Sequence, residues 1–155
     1  MENQSHTLNK SERLCSKKLI ERLFAGGNKS FPAFPLRVVY MTLEPEENVA
    51  DVSILISVPK KRFKHAVKRN RVKRQVREAY RRNKHILLNA LQASEKPQKM
   101  IMAFIWLDNK LHATEEIEYK VKKLLYHIAE EKQWEHCLSG YCNFLSASIV
   151  DTFLH

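Results

Sequence analysis

The amino-acid sequence predicts one α+β domain, a two-layer sandwich in which helices pack on a small mixed sheet. The chain has 155 residues, of which 44% are apolar, and this size and composition suit one modest core. Three segments are rich in β-branched and aromatic residues, and three others repeat apolar residues at helical spacing. Their succession along the chain predicts the order α-β-β-α-β-α.

The first predicted helix covers Ser16–Ala25, after a polar start that we expect to be loose over residues 1–10. Its apolar residues recur on one helical face: Leu19, Ile20, Leu23 and Phe24. The pair Gly26-Gly27 predicts the end of this helix, because glycine accepts the positive φ that a helix end needs. The segment Phe31–Pro35 is expected to lead towards the sheet as extended chain.

Two strands are predicted next, Leu36–Leu43 and Val49–Val58. The polar turn Glu44–Asn48 between them predicts that they form an antiparallel hairpin. The second strand is nearly continuous in apolar character over Ile54–Ile56, which is typical of a central strand, and Pro59 ends it.

A long helix is predicted over about His65–Ser94. Its apolar stripe consists of Val72, Val76, Ala79, Tyr80, Leu87, Ala90 and Leu91. A third strand, Met100–Leu107, follows Pro97. The last helix is expected to begin at Thr114 as N-cap, with acidic residues in its first turn, and to run to about Trp134.

Residues 1–134 are expected to form a single domain and residues 135–155 a C-terminal extension of unknown role, because no linker or repeat divides the chain. No apolar run approaches the roughly 18 residues of a membrane span, and the N-terminus lacks a secretion signal. Three cysteines without metal-site spacing indicate reduced thiols in a cytoplasmic protein. A metal site at His136, Cys137 and Cys142 is disfavoured, because the pattern offers no fourth ligand.

The positive charge is concentrated in one segment. The net charge is +10, and the 25 residues Lys60–Lys84 contain 13 basic residues and a single acid, Glu78. The other 130 residues carry 14 basic and 16 acidic groups. Because one segment supplies all of the excess, the pattern predicts a polyanionic partner.

The basic residues of the long helix group on one side of it. An arc of roughly 100° holds Asn70, Lys73, Arg74, Arg77, Arg81 and Lys84. Arginine grips phosphate oxygens in pairs, and a row of such groups about 5–6 Å apart follows a phosphate backbone. A merely solvated face is the alternative, but like charges four residues apart repel, and acids are almost absent. A basic-zipper DNA arm is rejected because no leucine heptad precedes Pro97.

The stretch Ala66–Tyr80 closely resembles the signature of the protein subunit of bacterial ribonuclease P. Arg69-Asn70-Arg71 matches the Arg-Asn-Arg motif of that family, and Ile56–Lys61 resembles its strand end and lysine pair. The similarity spans about Leu14 to Ile128.

Three features depart from the family pattern. Ile20 stands where the family usually has an aromatic residue, and Phe24 is retained one turn later. The link between Lys61 and Ala66 is one residue longer than the link that is common in the family. The chain also extends, after Trp134, beyond the typical end of the family.

The resemblance implies a ribonuclease P subunit, an endoribonuclease component that assists a catalytic RNA in removing the 5′ leader from precursor tRNA. It implies Mg²⁺, bound mainly by the RNA, and a left-handed β-α-β crossover, although right-handed crossovers are the general rule. The expected partners are the catalytic RNA and precursor tRNA, with no membrane and no obligate protein partner.

The resemblance and the charge pattern together assign the site residues. The residues expected to bind RNA are Lys60, Lys61, Arg69, Asn70, Arg71, Lys73, Arg74, Arg77 and Arg81. The residues that match family positions in a cleft for the leader are Phe24, Val38, Tyr40 and Ser57. Partly exposed aromatic residues stack on unpaired bases, but aromatic residues on a helix and a strand are also common in cores, and a strand serine is often only that.

The sequence contains no arrangement of nucleophile, base and carboxylate that indicates catalysis by the protein. This agrees with an RNA that carries the chemistry. The rival hypotheses are a pure RNA-binding module, such as a ribosomal or RNA-chaperone protein, and a protein-only nuclease.

Overall fold

The computed structural model describes residues 7–45, 50–94 and 98–139, with side chains through Gln133 in the last helix. After a 3₁₀ turn at Lys10–Glu12, the elements are α1 (Lys17–Phe24), β1 (Lys29–Ala33), β2 (Leu36–Leu43), β3 (Val52–Ser57), α2 (Ala66–Gln92), β4 (Lys99–Trp106) and α3 (Thr114–Ser139). The α+β class is confirmed, and the helices pack on one mixed sheet. No helix in the described ranges is both long enough and apolar enough to span a membrane.

The order of the strands in the sheet is β1-β2-β4-β3. β2 pairs with β4 in antiparallel fashion from Leu36–Trp106 to Leu43–Lys99, and β3 pairs with β4 in parallel. The predicted hairpin between β2 and β3 is therefore wrong, because β4 lies between these strands. β3 is also an edge strand, not a central one. Its apolar character reflects packing on both sides, since Val52 and Ile54 lie in the main core and Leu55 packs against the cluster under α1. A backbone bridge joins Arg13 to Ile54.

The segment predicted as an extended lead-in is a fourth strand. β1 pairs in antiparallel fashion with β2, from Lys29 opposite Tyr40 to Ala33 opposite Leu36. The turn between them contains a cis peptide bond before Pro35. Pro32 fits this position because β1 is an edge strand, and edge strands tolerate a missing backbone donor.

The two faces of the sheet carry separate apolar clusters. Even-numbered residues of β2 and β4 pack against α2 and α3, where Val72, Leu87 and Leu124 are fully buried. Odd-numbered residues of the same strands face α1, which covers them with Leu19 and Leu23. This alternation, with a period of two residues, decides which side chains can share a surface.

Both ends of the described chain are more ordered than the sequence predicts. The Lys84 ammonium donates to the carbonyl of Thr7, and Leu8 packs against the core, so residues 7–10 are not loose. α3 continues past the predicted end at Trp134 to Ser139 and crosses the predicted domain boundary. Residues 140–155 lie outside the described part, as do the side chains of His136, Cys137 and Cys142. The handedness of the β3-α2-β4 crossover stays a prediction.

Candidate nucleic-acid interface

The loop between β3 and α2 presents lysines from a fixed backbone. Phe63, which is 5% exposed, anchors this loop in the core, where its ring lies 6.4 Å from that of Trp106. Nη1 of Arg69 donates to the carbonyls of Phe63 and Lys64, both at 2.8 Å. The predicted RNA-binding residue Arg69 therefore positions the loop, while Lys60 on the same loop is exposed to solvent.

The faces of α2 are divided between the core, α3 and solvent. Val72 and Val76 are fully buried. On one flank, Gln75 donates to Oγ1 of Thr114 at 3.0 Å, and Arg82 lies 3.5 Å from Glu118, so this flank faces α3. The predicted basic arc lies on the other flank.

The basic residues of the loop and of the first half of α2 have no acidic partner among the described residues. Arg62 bonds to Asn109, and Arg69 bonds to backbone carbonyls of the loop. We name the other eight the basic surface: Lys60, Lys61, Lys64, Lys68, Arg71, Lys73, Arg74 and Arg77. All eight are exposed or half-exposed, and Asn70 is exposed beside them. The first turn of α2 contains no acid, although the positive end of a helix dipole favours one. Both features favour binding of an anion.

The second half of α2 is neutralised. Glu78 pairs with Arg81 at 2.5 Å and with Arg82 at 3.1 Å. The hydrogen bond from Arg81 is the main cause that lowers the pKa of Glu78 from 4.5 to about 2, so this carboxylate stays charged at neutral pH. Arg81, predicted to bind RNA, is thus already held by an acid.

Lys84, which the helical arc places beside the basic residues, is not available to RNA. It is 7% exposed and its ammonium lies 2.9 Å from Glu12. The segment that follows Glu12 bonds to the edge of β3, where the amide of Leu14 donates to the carbonyl of Ile54 at 2.8 Å. This contact shows that the basic arc lies on the β3 side of the molecule.

Val38 and Tyr40 do not line a cleft, which corrects their predicted role. Val38 is fully buried and Tyr40 is 2% exposed, both on the sheet face that α2 and α3 cover. The Tyr40 hydroxyl donates to Glu131 of α3. Phe24 lies on α1, across the sheet, so these three side chains cannot share one surface. The pattern of β2 is apolar at odd and even positions alike, and it does not reveal which set faces α1.

An uncovered strip remains on the α1 side of the sheet. α1 covers the end near Leu43 and Ile101, which are both buried. At the opposite end of the strands, Ile105 of β4 pairs with Arg37 of β2 on one side and with Ser57 of β3 on the other. These three residues form a row across the sheet, in which Arg37 is exposed and the other two are half-exposed.

We name this strip, with its neighbours Val39 and Leu55 and with Phe24 on α1, the open face. Phe24 is 47% exposed, and Val39 and Leu55 are half-exposed. Ser57 ends β3 three residues before Lys60, so the row ends close in sequence to the basic surface. The predicted residues Phe24 and Ser57 lie here. Arg37, Val39, Leu55 and Ile105 were missed, since only the strand order reveals that they occupy two adjacent rows on this face.

Among the residues that the structure describes, no three His, Cys, Asp or Glu side chains are grouped to hold a metal ion. The site offers cations, aromatic and aliphatic surface, and hydroxyl groups. Groups of these kinds are suited to holding a polyanion.

Solved structures with a similar fold are ribonuclease P proteins. The protein from Thermotoga maritima superposes with a TM-score of 0.57 and 22% identity, covering 75% of this chain and 96% of that one. A Staphylococcus aureus ribonuclease P protein, described as a mutant with defective mRNA degradation activity, gives a TM-score of 0.58 and 21% identity, covering 78% of this chain and 90% of that one. These likenesses establish the fold.

The sequence comparisons establish the family. The "Ribonuclease P protein component" of Porphyromonas gingivalis W83 is 48% identical over 122 residues, covering 79% of this chain and 86% of that protein. The "Ribonuclease P protein component" of Chlorobaculum tepidum is 35% identical over 109 residues, covering 68% of this chain and 70% of that protein. The family model for Ribonuclease P matches residues 8–129, which is most of the chain. The chain therefore belongs to the ribonuclease P protein family and is a protein subunit of that tRNA-processing enzyme, working with its RNA subunit.

Proposed function

We propose that the basic surface binds the RNA subunit and that the open face binds the 5′ leader of precursor tRNA. The observation that carries this proposal is the set of eight basic side chains without an acidic partner in the described part of the chain. Each contact with a phosphate releases condensed counterions from the RNA, which favours binding.

The loop before α2 and α2 itself contribute differently to binding of the RNA subunit. On α2, successive turns place basic groups about 5.4 Å apart along the axis, so that the row follows a phosphate backbone. The loop adds Lys60 and Lys61 at the end of β3, where its backbone is held by Phe63 and Arg69. Fixed loops lose less conformational entropy when they bind than mobile ones do.

The open face suits an unpaired strand. Phe24 offers an exposed ring for stacking, and the half-exposed Val39, Leu55 and Ile105 offer an apolar floor. Arg37 stands at one end of the row, where Nη2 donates to the hydroxyl of Ser30 at 2.9 Å and the guanidinium stays exposed. A leader with its bases on the floor has its phosphates beside Arg37 and Lys60.

The chemistry in this proposal belongs to the RNA subunit, with Mg²⁺ bound mainly there. The described side chains provide no carboxylate cluster of the kind that Mg²⁺ prefers. The protein brings two polyanions together by neutralising their repulsion. We also propose a cytoplasmic location, which suits the free, exposed thiol of Cys15.

The test compares three reactions on precursor tRNA: protein alone, RNA subunit alone, and both together. The proposal expects no cleavage by RNA-free protein at any Mg²⁺ concentration, and faster cleavage at low Mg²⁺ when the protein joins the RNA. Mg²⁺-dependent cleavage by the protein alone would establish a protein-only nuclease. Protein that binds RNA without stimulating cleavage would establish a pure binding module.

A further inference from the structure

A second groove lies on the outer side of α3, beside the edge strand β1. Its volume is about 460 Å³. It is lined by Phe31, Tyr119, Lys122, Lys123, Tyr126 and His127, with Glu130 at its C-terminal end. β1 and β3 are opposite edges of the sheet, so this groove is remote from the flank of α2 that carries the basic arc.

Aromatic rings dominate the groove, although the core does not use them. Tyr119 is 63% exposed and Tyr126 is 48% exposed, whereas Val121 and Leu124 on the other side of α3 are fully buried. The two tyrosines are seven residues apart, which places them on the same side of the helix and about 10.5 Å apart along its axis.

A stacked pair of rings forms the wall towards β1. The rings of Phe31 and His127 are nearly parallel, at 13°, with centroids 3.7 Å apart. Both residues are half-exposed, so the edges of this pair remain open to a ligand. The wall is therefore already ordered before anything binds.

Positive charge lies between the aromatic rings. Lys122 and Lys123 are exposed, lie between the two tyrosines in sequence, and form no ion pair within the described chain. The ammonium of Lys120 lies 5.9 Å from the centroid of the Tyr119 ring and adds to the local positive charge.

We propose that this groove binds a single-stranded RNA segment, with bases stacked on Tyr119 and Tyr126 and phosphates beside Lys122 and Lys123. Aromatic platforms flanked by cations hold unpaired nucleic acid with little sequence preference. A protein partner fits less well, because protein–protein interfaces are depleted in lysine. This site is separate from the basic surface and from the open face.

The test uses the full chain carrying Arg71→Gln and Arg74→Gln, which weaken the basic surface, and Phe24→Ala, which removes the exposed ring of the open face. The probe is a fluorescein-labelled ten-residue oligoadenylate. Fluorescence anisotropy measures the affinity. Adding Tyr119→Ala and Tyr126→Ala is expected to weaken binding about tenfold or more. Adding Tyr119→Phe and Tyr126→Phe keeps the rings and is expected to retain the affinity.

The lysines provide an independent arm. Lys122→Gln with Lys123→Gln is expected to weaken binding and to reduce the slope of log K against log salt by about 1.4. Lys17→Gln with Lys18→Gln, on α1, removes the same charge elsewhere and serves as the matched control.

Two outcomes overturn the proposal: an unchanged affinity in the alanine pair, or an equal loss in the lysine pair and its control. If the alanine pair keeps its RNA affinity but changes its oligomeric state in sedimentation, the groove is a protein contact.

Discussion

Arg81 and Glu78, three residues apart on α2, form a two-point ion pair. Nε of Arg81 donates to Oε2 at 2.8 Å, and Nη2 donates to Oε1 at 2.5 Å. Arg82 shares the same carboxylate and also lies 3.5 Å from Glu118, so two acids balance the two arginines in the middle of the helix. The unpaired charge therefore begins N-terminal to Glu78, and the RNA affinity is expected to depend on where along α2 a basic residue lies.

Lys84 is expected to stabilise the fold and not to bind RNA. Its side chain is 8% exposed and that of Glu12 is 14% exposed. Removing one partner leaves the other charge buried, so Lys84→Ala is expected to lower the free energy of unfolding by about 3 kcal/mol. Urea unfolding measures the change, with Lys73→Ala, a half-exposed lysine without an acidic partner in the described chain, as the control. Equal stability of the two variants would contradict the buried pair.

Tyr40 is expected to behave as a core residue. Tyr40→Ala should cost about 3–5 kcal/mol of unfolding free energy, as other buried aromatic truncations do. Tyr40→Phe removes only the hydroxyl that donates to the Glu131 carboxylate, at a cost of about 1.5–3 kcal/mol. The folded Tyr40→Phe variant should bind precursor and mature tRNA as the parent does. A selective loss of precursor binding in that variant would contradict the core assignment and indicate that Tyr40 contacts the leader.

Phe24 is expected to contact the leader. Phe24→Ala removes a 47% exposed ring from the open face and should weaken holoenzyme binding of precursor tRNA by about fivefold or more. Mature tRNA, which lacks the leader, should bind unchanged. Phe34→Ala is the matched control, since that ring is 58% exposed and lies in the turn between β1 and β2. The assignment fails if both tRNAs weaken equally.

Local patterns determine much of this fold. The predicted span of β2 agrees with the structure at both ends, and that of α2 to within two residues, because β-branched runs and apolar stripes are local signals. The insertion of β4 between β2 and β3 depends on contacts between segments distant in sequence, and no local signal reports them. β1 was not predicted as a strand because Pro32 and Pro35 lie in or beside it, and proline is uncommon within strands.

The candidate site was predictable only in part, for the same reason. The positive charge of Lys60–Lys84 is evident from the sequence. The ion pairs of Lys84 with Glu12 and of Arg82 with Glu118 are not, because these acids are distant along the chain. Likewise, the sequence does not show which of Tyr40 and Met41 faces α2 and α3. The fold places Tyr40 on that side of the sheet and Met41 on the α1 side.

His112 is expected to make stability depend on pH near neutrality. Burial opposes its charged form, but hydrogen bonds to Asp108 and Glu116 outweigh that effect and raise its pKa above 6.5. The bond from His112 is the main cause that lowers the pKa of Asp108, so this carboxylate stays charged in the same window. The stabilisation is present in full below pH of about 6.5 and is lost as the pH rises through the raised pKa.

Urea unfolding of the parent and of His112→Gln, at a pH of about 6 and of about 9, measures this dependence. The parent's advantage should be larger at the lower pH. The same difference at both pH values would show that the charge of His112 contributes nothing.

The salt dependence of binding to the RNA subunit tests the basic surface most directly. Arg74 lies in the unpaired half of α2, whereas Arg82 is held by Glu78 and Glu118. Arg74→Gln should weaken binding and reduce the slope of log K against log salt by about one unit, as the loss of one phosphate contact does. Arg82→Gln should leave the slope nearly unchanged. Equal slopes in the two variants would contradict the division of α2 into an RNA-binding half and a neutralised half.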